Sequence, residues 1–162
     1  MRALATAAAA ACIISSLLAQ PRTAGAADVQ ADAVVDVIEA SKAIVAAFGH
    51  DDPAKYFQLF DPQATFIFYN TPQRLENRAA YEQEWASWRR DLGFRVRSCT
   101  SSDQRVQFFD DVAILTHLVR TEITTNQGEA TLHERETMVF HRREGRWIAV
   151  HEHLSPHPES AE

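Results

Sequence analysis

Cysteine is almost missing from this chain: Cys12 and Cys99 are the only two in 162 residues. That excludes a disulfide-stapled scaffold and any site built on paired cysteines. Basic residues are outnumbered, 16 Lys and Arg against 22 Asp and Glu, for a formal charge of −6, and they form no stripe. A surface of that kind argues against binding nucleic acid. Glycine is scarce at five residues, with no Gly-rich phosphate loop and no serine-centred nucleophile elbow. Repeats, blocks of one charge and low-complexity segments are absent as well.

Only one long apolar run exists, and it lies at the start. Arg2 precedes alanine, leucine and isoleucine through Leu18, followed by Pro21 and Ala24-Gly25-Ala26. A basic start, an apolar stretch too short to span a bilayer and a small-x-small site predict a signal peptide over 1–26, cut after Ala26. The product would be periplasmic or secreted, without stable membrane insertion. Ala9-Ala10-Ala11-Cys12 admits lipid attachment at Cys12, but the apolar run continues past it. Both Arg2 and Arg22 fall before the cut and every acidic residue after it, so 14 basic residues would face 22 acidic ones, a net −8. Cys99 would then be alone, a small strand residue with no disulfide partner. The remaining length predicts one domain, 27–157, with a short tail, 158–162. A chain of this size buries roughly two-thirds of its unfolded surface.

Val34, Val37, Ile38, Ile44, Val45 and Phe48 recur at helical spacing from Asp28 to about Gly49. Asp52-Pro53 predicts a second, short helix with Asp52 as its cap, turning Phe57 and Phe60 inward. Ala64 to Asn70 is β-branched and aromatic, a strand. Asn77 caps a third helix with a stripe of Tyr81, Trp85, Trp88 and Leu92. Beyond Gly93 the period becomes two: Phe94–Thr100 and Gln104–Phe109 with an irregularity at Ser101-Ser102-Asp103, then Val112–Thr125, then strands over 131–141 and 146–155. Helices followed by a meander predict an α+β domain, helices against one face of a curved sheet.

The final hairpin can close in two ways. A three-residue loop, Arg143-Glu144-Gly145, sets Thr137 opposite His151 and Arg135 opposite His153; a two-residue loop swaps the faces of the first strand. The glycine favours the longer loop, as the bulge residue. Pairing Thr125 with Glu129 then collects His117, Arg135, Thr137, His151 and His153 on one face with Trp147 and Ala149. The other face would carry Ile114, Leu118, Met138, Phe140, Ile148 and Val150 among Glu134, Glu136 and Glu152, a candidate homodimer interface.

Arg135-x-Thr137-x-Val139 and Gly145-x-Trp147-x-x-x-His151-x-His153-x-Ser155 resemble the C-terminal signature of SnoaL-like domains in the nuclear transport factor 2 and ketosteroid isomerase superfamily. Phe60-Asp61-Pro62-Gln63-Ala64-Thr65 and Asp110-Asp111-Val112-Ala113 resemble two further pieces of it. The resemblance implies three N-terminal helices packed in the concave face of a strongly curved antiparallel or mixed sheet, a cone-shaped α+β barrel with a pocket. It also implies where an isomerase would keep its chemistry, and there the chain departs. The basic aspartate falls on Phe68 and the hydrogen-bonding tyrosine near Ile44.

The expected site is therefore histidine-based. His151, His153 and His117 are the candidate acid/base groups. Arg135 and Thr137 would hold a ligand oxygen, and Tyr69, Trp85, Trp88 and Trp147 would form the wall. The plain alternative is a satisfied polar rim with no reaction. His117, His151 and His153 could also supply three nitrogens to a metal, but the nearby carboxylates fall on the opposite face in this register, and no metal or cofactor is assigned. The expected partners are a small, largely apolar ligand and a second copy of the chain, or only the latter if the domain is a non-catalytic association module.

Overall fold

A computed structural model describes residues 26–158, with side chains from 31 onward. The expected leader, its cleavage site and Cys12 lie outside the described residues, apart from Ala26, and so does most of the short tail.

Three helices precede and interrupt a five-stranded sheet. Helix α1, Ala26–Gly49, lays Val37, Ile44 and Ala47 into the core. Helix α2, Pro53–Gln58, begins where Asp52 accepts a hydrogen bond from the Lys55 amide at 3.0 Å, with proline in the first turn. Strand β1, Phe60–Phe68, leads to helix α3, Arg78–Asp91, capped by Asn77, which accepts from the Ala80 amide at 2.8 Å. Strands β2 (Arg95–Phe109), β3 (Val112–Thr125), β4 (Gly128–Arg143) and β5 (Arg146–Pro156) follow as an antiparallel meander. The order is β1-β5-β4-β3-β2, with β1 parallel to β5. The sheet curls over the helices without closing. Gly93 makes the turn from α3 into β2 at φ +65°, where a Cβ would meet the Asn126 side chain at 2.2 Å.

Aromatic rings from the short helix, α3 and β1 fill the inside. Tyr56 has the rings of Phe48, Phe57, Phe60, Tyr81 and Trp85 within 5.0 to 6.0 Å of its own, all of them tilted or edge-on. Phe66, Leu115, Met138 and Phe140 are wholly buried beneath them. Each such side chain contributes roughly 1.5–3 kcal/mol of transfer free energy. Leu92 does not join this core. It follows the last turn of α3 as its cap and stays half-exposed.

The register of the meander corrects the expected one at both hairpins. Arg143 pairs with Arg146 across the two residues Glu144 and Gly145, both at positive φ (51° and 76°), the geometry of a tight primed turn. Thr125 pairs with Gly128, so His117 faces Glu136 and not Thr137. Each slip of one residue exchanges the faces of a strand. Met138 and Phe140 therefore point into the core, and Arg135, Thr137 and Val139 point out. On β5 the pairing shifts between Phe140–Ala149 and Val139–His151, leaving Val150 as an extra residue. Ala149 and Glu152 are consequently both buried, while His153 is exposed.

Candidate functional site

The mouth of the cone is an apolar chamber of about 160 Å³. Phe48 comes from α1, Tyr81 and Trp88 from α3, Phe68 and Tyr69 from β1 and its end, Phe94 from the approach to β2, and Leu132 and Leu154 from β4 and β5. The helical spacing of Tyr81, Trp85 and Trp88 puts all three on the inner side of α3, but only Tyr81 and Trp88 reach the chamber. Trp85 is sealed behind them at 2 % exposure. One acidic side chain, Glu134, lines the chamber, and no Lys, Arg or His does so.

Glu134 is 7 % exposed, and its environment changes its chemistry. Burial, reinforced by the neighbouring charge of Glu136, pushes its carboxyl up to about 7, against an opposing hydrogen bond from Tyr69. A carboxyl that titrates near neutrality exchanges protons with a bound molecule far more readily than an ordinary glutamate. The Tyr69 hydroxyl is in turn held well above its usual range, by desolvation first and by Glu134 second.

Beyond Glu134 the chamber narrows into a recess of about 30 Å³, floored by Glu136, Glu152 and Tyr56 and walled by Ile44, Val119 and Thr121. The Tyr56 hydroxyl donates to Glu152 Oε2 at 2.9 Å. Burial and the neighbouring Glu136 raise the Glu152 carboxyl well above its ordinary value, against the hydrogen bond from Tyr56. Cys99, at the edge of the recess, is pushed by burial up to about 12, which leaves no nucleophilic thiolate near neutral pH.

His117 lies behind this floor at 3 % exposure. Its Nε2 is 2.8 Å from Glu136 Oε2, an ion-pair approach without the alignment of a hydrogen bond, and its Nδ1 is 2.6 Å from Ser101 Oγ. Gln104 donates to the same Ser101 hydroxyl at 3.0 Å. The irregular stretch Ser101–Asp103 thus carries the outer support of the histidine, with Asp103 at φ +49°.

Of the remaining expected residues, Arg135 and Thr137 line a surface depression with His117, Leu118 and Glu136, away from the chamber, and His151 and His153 do not join them. Arg135, Thr137, His151 and His153 sit on the outer face of the sheet, on the far side from the chamber. His151 bonds Thr65 across β5 and β1, Nδ1 to Oγ1 at 2.8 Å, and partial burial together with His153 lowers its pKa. Three histidines on two sides of one sheet cannot share a metal. Trp147 packs on Phe108, with ring centroids 5.7 Å apart, and lines neither the chamber nor the recess. Tyr69 and Trp88 do line the chamber. Glu134, Glu136, Glu152, Tyr56 and Tyr81 were not among the expected site residues. One signal for them exists in the sequence: Glu134 and Glu136 share the parity of Met138 and Phe140, and so the same face of their strand.

The family model that matches the sequence describes a SnoaL-like domain and covers residues 37–159. Among solved structures, a proposed scytalone dehydratase from Novosphingobium aromaticivorans superposes with a TM-score of 0.69 at 14% identity, covering 81% of this chain and 88% of that one. An NTF2-like protein from Cytophaga hutchinsonii gives 0.65 at 13% identity, covering 79% and 98%. A proposed calcium/calmodulin-dependent protein kinase II association domain from Xanthomonas campestris gives 0.62 at 20% identity, covering 86% and 96%. At these identities the likenesses establish the fold and nothing finer. No curated protein matches the sequence significantly.

Proposed function

The chain belongs to the SnoaL-like domain family of the NTF2-like superfamily, and from that premise we propose that its cone binds a small, largely apolar molecule against Glu134. The observation that carries this reading is the chamber itself: about 160 Å³ of aromatic and aliphatic wall around a single carboxyl that titrates near 7. Apolar pockets with one or two placed polar groups are the usual form of a small-molecule site. Glu134 is the proton-handling group, with Tyr69 as its hydrogen-bond donor. Histidine acts at one remove, through His117 on Glu136, and His151 and His153 take no part.

A thermal-shift series with indole, phenol and benzyl alcohol tests the site, run beside Leu132→Trp, which fills the chamber. A ligand at a hundred times its Kd stabilises the native chain by about 2.7 kcal/mol. A shift in the parent that disappears in Leu132→Trp supports the reading. No shift with any probe opposes it.

A second reading, a homodimeric association module, is favoured by the outer sheet face. Ile114, Leu118, Val139 and Ile148 lie together there, each partly exposed in the single chain. The Xanthomonas neighbour is described as an association domain. We further propose export: the 1–26 segment has the form of a signal peptide, and no described helix is long and apolar enough to cross a membrane. Amino-terminal sequencing of the secreted or periplasmic protein should begin at Ala27.

A further inference from the structure

We propose that the chamber selects an apolar amine in its cationic form, an aromatic ring or short alkyl body bearing one ammonium group that rests against Glu134. This rests on the small-molecule reading above and narrows it to one chemical class.

Three features of the lining converge on that class. First, the charge is one-sided. Glu134 is the only acid in the chamber wall, Glu136 and Glu152 lie in the recess behind it, and no Lys, Arg or His faces either space. The titratable groups acting around Glu134 are Tyr69, Tyr81, Cys99, Glu136 and Glu152, each neutral or anionic, while His117, cationic when protonated, stands behind the floor against Glu136 and outside both spaces. Tyr69, Asn70, Thr121 and Thr125 add neutral polar groups to the wall, so an anionic ligand would find hydrogen-bond donors but no positive charge, and would meet like charge once Glu134 ionises. A neutral ligand is compatible with protonated Glu134 but leaves the carboxyl without a countercharge once it ionises. A cation supplies the partner that the site lacks.

Second, the walls suit a cation. Phe68, Tyr81, Trp88 and Phe94 line one chamber, with Tyr81 and Trp88 centroids 5.9 Å apart and Trp88 and Phe94 5.8 Å apart. Ring faces attract an ammonium group, most strongly when water is excluded. Third, the size is limiting. A cavity near 150 Å³ holds a benzene-sized body, so a chamber of about 160 Å³ takes one ring and a short amine arm.

The proton balance follows. In the empty site near pH 6 the Glu134 carboxyl carries its proton. The arriving ammonium keeps all of its own, and the Glu134 proton leaves to solvent as the ion pair forms. Binding therefore releases up to one proton and strengthens about tenfold per pH unit until Glu134 is ionised in the free protein.

Isothermal titration of the protein with 2-phenylethylamine, 2-phenylethanol and 3-phenylpropanoate tests this, at several pH values from about 6 to about 8 and in two buffers of different ionisation enthalpy. The expected result is tightest binding of the amine, with proton release at the acid end and none once Glu134 is ionised. Glu134→Gln should weaken the amine on the order of tenfold to a hundredfold and leave the alcohol nearly unchanged. If the alcohol binds as tightly as the amine without proton release, or 3-phenylpropanoate binds best, the ligand class is wrong and the small-molecule site stands. If none of the three binds, both fall.

Discussion

His117 and Glu136 meet across β3 and β4 with Nε2 2.8 Å from Oε2, and both side chains are almost wholly shut off from water. This contact joins two parts of the molecule that the sequence keeps far apart in meaning: the Ser101 bulge at the sheet surface and the acidic floor of the recess. It holds Glu136 beside Glu152, to which Tyr56 donates in turn.

Removing one partner of such a pair strands the other in a dry site. His117→Ala should therefore cost roughly 1–3 kcal/mol in urea denaturation, the cost of leaving a buried polar group unpaired, whereas replacing both members by leucine should restore most of the loss. A single substitution costing under about 1 kcal/mol would show that the contact carries no weight.

Tyr56→Phe removes the hydrogen bond donated to Glu152 Oε2 while keeping the ring among its aromatic neighbours. The expected loss is roughly 1–3 kcal/mol, the cost of leaving a buried acceptor unpaired. Since the ring packing is retained, the same denaturation slope should accompany it. A changed slope would point to a disrupted core instead.

Stability should fall as pH rises from about 4.5 to about 7. Folded Glu134 keeps its proton to about 7, whereas in the unfolded chain it releases it near the ordinary value of 4.5. Between those limits the unfolded state binds fewer protons, so each upward step in pH favours unfolding. The Glu134 contribution to this loss is roughly 3 kcal/mol across the window. Glu152, also raised, adds a loss in the same direction. Chemical denaturation along a pH series should show the slope, and Glu134→Gln should flatten it; a parent more stable at pH 7 than at pH 5 would contradict the burial of these acids.

Val139 lies on the outer face beside Ile114 and His151. If that face forms the dimer, Val139→Glu should convert a dimer to a monomer in sedimentation while circular dichroism shows the monomer still folded. An unaltered dimer would assign the interface elsewhere.

Most of the architecture could be read from the chain. Asp52 and Asn77 act as the caps they resemble, and the change of period after Gly93 marks where helices give way to the meander. What could not be read was the face. Gly145 satisfies a three-residue bulged loop and a two-residue primed turn equally well, and the choice reverses β4. The shift at Val150 then restores the inward side for Glu152 after Ala149, so β5 agrees with the expected alternation as far as Ala149 and opposes it from His151 onward. Charge misled in the same direction: three glutamates suggest a solvent face, because burying a carboxyl is costly. Here they are buried together, with Tyr56 and His117 offsetting that cost.

The titration of Glu134 tests the account most directly. Carbon-13 NMR of the glutamate side-chain carboxyls in the free protein, assigned by the loss of one signal in Glu134→Gln, should show that group titrating at about 7. A midpoint near 4.5 would mean an ordinary, solvated glutamate, and the chamber would then have no proton to exchange with a ligand.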